Sequence, residues 1–106
     1  MVVVRILEGH DATPEGNLRA RVARLDATLT RSEKILFSAN EHARTGDVAG
    51  ARILKRRSRE EARMAMRLIG ILMIEYGLDM GPAIARARQI VLATRNGNGS
   101  ANGVGR

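Results

Sequence analysis

The spacing of apolar and small residues constrains this chain more than any motif in it. Leu18, Val22, Leu25, Leu29, Ser32, Leu36, Ala39 and Ala43 recur with alternating steps of four and three, the rhythm of a helix face that meets another helix. Ala51, Leu54, Ser58, Ala62, Ala65, Ile69, Leu72 and Tyr76 repeat nearly the same rhythm. Between the two stripes lies Thr45-Gly46-Asp47. A glycine there can end one helix in the left-handed conformation, and an aspartate can cap the next. So short a link forces its helices antiparallel. The expected fold is all-α, with a long, coiled-coil-like antiparallel helical hairpin at its centre. Folding at Gly46 would set Leu36 against Ser58, Leu29 against Ala65 and Ala39 against Leu54. A large residue then meets a small one at each level, as close packing requires.

Local signals fix where the helices begin and end. Thr13 is a good N-cap, Pro14 suits the first helical position and Glu15 complements the dipole, so the first helix is expected from there to about Arg44. The second is expected over Val48–Tyr76, stopped by Gly77 with Leu78 beside it. Asp79 would cap a shorter third helix from Met80 to about Arg95, with Ile84, Ala87, Ile90 and Val91 as its apolar positions. Residues 13–95 thus form the helical unit. The run MVVVRIL within residues 1–12 reads as a short strand or extended arm, and the Gly/Asn-rich residues 96–106 as a disordered tail. The segment ARTGDVAGARIL, residues 43–54, resembles the turn inside a tetratricopeptide repeat. The flanking helices are about twice too long for that repeat and no second copy follows, so the resemblance implies shared turn chemistry only.

A chain of 106 residues is one domain, and a hairpin whose seam is rich in Ala and Ser buries little area per residue. The third helix and a second copy of the chain are expected to supply the rest of the core. The absence of cysteine excludes disulfides and thiolate metal sites. The longest apolar stretch, Met64–Leu78, is interrupted by Arg67 and Glu75 and falls short of a membrane span, so a cytoplasmic location without membrane contact is expected.

Eighteen basic against eleven acidic residues give a net charge of +7, which favours anionic partners. Only Lys34 and Lys55 of the eighteen are lysine. Arginine bias with abundant Ala and Gly is also what a GC-rich bacterial genome imposes without selection for binding. On a helical wheel Arg52, Arg56, Arg59, Arg63 and Arg67 form one stripe, roughly opposite the seam, flanked by Lys55 and Arg57. Such a ridge can neutralise phosphates or an acidic protein face, or it can be a solvated face with pairs such as Arg56 and Glu60. With Phe37 and Tyr76 the only aromatics, base stacking has no platform.

Past Arg67 the outer face turns apolar. Met64, Leu68, Ile71 and Ile74 lie outside the seam, and Phe37 flanks it on the first helix. Uncovered apolar faces of this kind mark interfaces, so a homodimer or a partner protein is expected at these residues, a three-helix monomer being the alternative. Catalytic signals are weak. His10 and His42 match no spaced metal motif, Ser32 and Ser58 sit in the seams, and the carboxylates are scattered. No cofactor is expected. The sequence thus reads as a small non-catalytic helical binding protein that self-associates: an adaptor, regulator or assembly factor. A nucleic-acid-binding accessory protein is the first alternative, and an enzyme with an intersubunit site the second.

Overall fold

A computed structural model describes residues 14–96, and these form three helices and no strand. Helix α1 spans Pro14–Arg44, α2 spans Val48–Tyr76 and α3 spans Gly81–Asn96. The all-α expectation holds. Asn96, read as the first residue of the tail, belongs to α3; the Thr13 cap, the strand in residues 1–12 and the rest of the tail lie outside the described residues.

The helix ends at the two turns are fixed by local chemistry. At the α1–α2 turn Gly46 adopts φ 95°. The Asp47 amide donates to the His42 carbonyl at 2.8 Å and the Gly46 amide to that of Ala43 at 3.1 Å. This pair of bonds is a Schellman stop, and only a residue tolerant of positive φ can sit at its hinge. Asp47 then caps α2 by accepting the Gly50 amide at 2.9 Å. At the far end Gly77 adopts φ 64° and its amide donates to the Met73 carbonyl at 3.0 Å. Asp79 accepts the Gly81 amide at 3.1 Å, so α3 starts one residue later than the sequence suggests while the aspartate still holds its first amide.

The two long helices meet along the stripes read from the sequence. Leu25, Leu29, Ser32 and Ala39 are buried on α1, and Ala51, Ser58, Ala62, Ala65, Ile69 and Leu72 on α2. Val22 departs from the pattern at 41% exposed. The register differs by one turn from the large-against-small pairing. Ser32 Oγ donates to the Ser58 carbonyl at 2.7 Å and Ser58 Oγ to the Ser32 carbonyl at 2.8 Å, both residues fully buried. A buried hydroxyl must find a partner. Two serines level with one another each reach the other helix's backbone, which the alignment of Ser58 with Leu36 would not allow.

Helix α3 packs against both long helices, with Ala87 and Ile90 joining the core of Leu25, Leu29, Ala62, Ala65, Ile69 and Leu72. Ile84 and Val91 pack against the same core from its edge. The helix is clamped to α1 by Arg86. Its guanidinium grips Glu33 with two bonds of 2.7 and 2.8 Å, and reaches Asp26 at 3.1 Å and Thr30 Oγ1 at 3.2 Å. The two-pronged bond holds the Glu33 carboxyl below its ordinary value and raises the Arg86 pKa. Thr28, buried off the seam, is satisfied by donating to the Arg24 carbonyl at 2.8 Å.

Candidate functional site

The arginine stripe does not present one uniform face. Helix α3 lies along one edge of it, where Arg59 Nε donates to Thr94 Oγ1 at 3.1 Å. Thr94 is buried and passes its own proton to the Val91 carbonyl at 2.7 Å, so its oxygen is oriented to accept from Arg59. Arg59 is therefore half-buried and tied to the scaffold. Lys55, expected to flank an exposed ridge, is buried at 9% exposure. Arg52, Arg56, Arg57, Arg63 and Arg67 remain exposed.

Where α3 ends, an open groove of about 810 Å³ forms between all three helices. The last turn of α1 contributes Ala43 and the first turns of α2 contribute Val48 and Ala51 as its apolar lining. Arg52, Lys55, Arg59 and Arg63 from α2 and Arg95 from α3 add five cations, and no acidic residue lines the groove. Of the apolar lining residues, Ala51 is buried, while Ala43 and Val48 are exposed. The cations share one sign in one concavity, which focuses positive potential into it.

Among the described residues, neither a hydrogen bond nor an ion pair reaches the Lys55 side chain. The acidic groups that are paired lie elsewhere: Glu61 meets Arg31 at 3.2 Å, Glu33 and Asp26 meet Arg86, and Glu41 meets Arg44. Lys55 is thus largely covered by its neighbours and lines the groove without a counter-charge. Sequence reasoning placed Lys55 at the ridge but missed its burial. It also missed Thr94 and Arg95, because nothing local to α3 announces which turn of α2 it will touch.

The apolar positions divide. Ile74 is 85% exposed, Phe37 67% and Met64 38%. Leu68 instead packs against the core and Ile71 is half-buried. By the Ser32–Ser58 register, Phe37 stands level with Ile53 near the turn end of the hairpin, apart from the Met64–Ile74 region. His42 Nδ1 lies 2.8 Å from the Ser38 carbonyl, and Nε2 lies 4.0 Å from Asp47, which gives the ring a local role at the turn. Among the described residues no cluster of three His, Cys, Asp or Glu side chains could hold a metal ion, and no helix is long and apolar enough to cross a membrane. The chain matches no family model, no curated protein and no solved structure.

Proposed function

We propose that this chain is a small non-catalytic binding protein that receives an anionic partner in the cationic groove and self-associates through its uncovered apolar surface. One observation carries the reading: five cations from two helices line a single concavity that holds no acid. A face that merely needed solvation would interleave the two signs, as the Arg31–Glu61 and Arg86–Glu33 pairs do elsewhere. The absence of catalysis is inferred from the lining. Its one hydroxyl, on Thr94, is already engaged with Arg59 and the Val91 carbonyl. Self-association is supported by Ile74, whose side chain stands almost wholly in solvent.

A second reading has its own support. Arg56 and Arg67, exposed and in no ion pair among the described residues, carry the positive charge along α2 beyond the groove. A predominantly cationic face of this kind, interrupted by the exposed Glu60, suits the phosphate backbone of a nucleic acid.

The test is a titration of labelled polyglutamate and of a labelled random-sequence DNA duplex across a salt series. At least one polyanion is expected to bind, with log K falling linearly against log salt. Arg52, Arg56 and Arg63 changed together to Gln are expected to lose that binding with the helical circular dichroism unchanged. Arg59 is left in place because it holds α3. Absence of binding at low salt, or unchanged binding by the triple variant, would overturn the proposal.

A further inference from the structure

We infer that the groove is a phosphate-binding site centred on Lys55, its ligand class being molecules that carry one or more phosphate groups. This rests on the reading of the groove as the binding face and narrows the partner's chemistry. The first observation is Lys55 itself, nine-tenths buried, lining the groove and met by no acceptor among the described residues. An anion in the groove would give that side chain the counter-charge it lacks.

The second observation is the company it keeps. Arg59 is aimed by its bond to Thr94, and Arg52, Arg63 and Arg95 line the same space. A single carboxylate carries one charge and two oxygens, too few for five cations. A polyphosphate or a nucleic-acid strand brings one charge and two free oxygens on every phosphate of its chain, with up to one more charge and one more oxygen at a terminal phosphate, and guanidinium forks match those oxygens in pairs. The third observation is the lining between the cations. Ala43, Val48 and Ala51 give no ring on which a base could stack, so recognition falls on the phosphates and not on an attached base.

Two sources share this chemistry, a free polyphosphate chain and the backbone of a nucleic acid, and the experiment separates them. Calorimetric titration of the full chain with tripolyphosphate is expected to show saturable binding and a rise in melting temperature with ligand concentration. Lys55→Met keeps the apolar stem and is expected to weaken binding roughly tenfold or more while melting no lower than the native chain without ligand. Should that variant fail to fold, Arg63→Gln with Arg95→Gln, both at exposed positions, is expected to give a comparable loss.

A second arm titrates a DNA duplex. Loss of duplex binding in Lys55→Met assigns the phosphate to a nucleic-acid backbone, and loss of tripolyphosphate binding alone assigns it to a free chain. Equal binding by Lys55→Met and the native protein would overturn the inference, leaving Lys55 as a stem that covers the hairpin. Failure of tripolyphosphate and duplex alongside firm binding of polyglutamate would overturn it too, and would leave the proposed function standing. Failure of every polyanion would remove both.

Discussion

Removing the guanidinium of Arg86 should loosen α3 from the hairpin by a measurable and pH-dependent amount. The side chain makes four bonds to α1, two of them as a fork on Glu33. A charge-assisted bond contributes about 1.5–3 kcal/mol when shielded and an exposed ion pair about 0–1. Arg86 is 35% exposed and Glu33 42%, with Asp26 largely in solvent at 70%. Discounting for that exposure, Arg86→Met is expected to cost about 1–2 kcal/mol. For a domain this size that is a fall in melting temperature of roughly 5–15 °C.

The Arg86 contribution has a definite pH window. The Glu33 carboxyl is held below its ordinary value by Arg86. A group whose folded pKa is depressed stabilises the fold above its unfolded pKa, near 4 for a carboxyl, and loses that contribution as pH falls through the folded value. The difference between native chain and variant should therefore be full at pH 7 and shrink as pH drops below about 4. Part of it should also vanish in about 1 M salt. Thermal and urea melts followed by circular dichroism supply the difference. Hydrogen exchange should show the amides of α3 opening sooner, with those of α1 and α2 less affected. Equal stability at pH 7 in low salt, or a difference indifferent to both pH and salt, would refute the reasoning.

Further outcomes are open to direct measurement. Gly50→Ala should change stability little, because its Cβ would collide with the Asp47 carboxylate that caps α2 and the disturbed cap offsets alanine's higher helix propensity. Gly70→Ala, with nothing within 4 Å of the new carbon, should raise it by roughly 0.5–1 kcal/mol, and paired urea melts compare the two. Ser58→Val removes a donor from a fully buried site and adds bulk, so a loss of about 2–4 kcal/mol in the same melts is expected. Ile74→Glu should lower the sedimentation mass of any self-associated species without changing helicity. Leu68→Glu is a poorer probe because Leu68 packs against the core, so it should unfold the chain instead.

Helix limits were legible in the sequence because their determinants are local. Gly46, Asp47, Gly77 and Asp79 act within one turn of themselves, and each holds an end in the structure. The buried faces were legible for a related reason, since periodicity alone selects which side of a helix is apolar. Register was not. Large-against-small pairing put Leu36 opposite Ser58, but hydrogen-bond satisfaction of two buried serines sets the level at Ser32. The Arg86 clamp was invisible because its partners lie 53 to 60 residues away in the chain. The groove was half legible. A wheel places Arg52, Arg59 and Arg63 on one stripe, yet only the position of α3 decides that Arg59 is tied, Lys55 buried and Arg95 added.

Lysine scarcity makes the groove open to one clean measurement. The chain has two lysines, Lys34, which is exposed on α1, and Lys55 in the groove. Side-chain ammonium resonances of the two can be followed by NMR as tripolyphosphate is added, each residue serving as the other's control. A saturable shift of the Lys55 signal, with Lys34 nearly still, is the expected result. Parallel, non-saturating drift of both signals, or a Lys55 signal that does not move while the polyanion is in excess, would contradict an anion-binding groove built on Lys55.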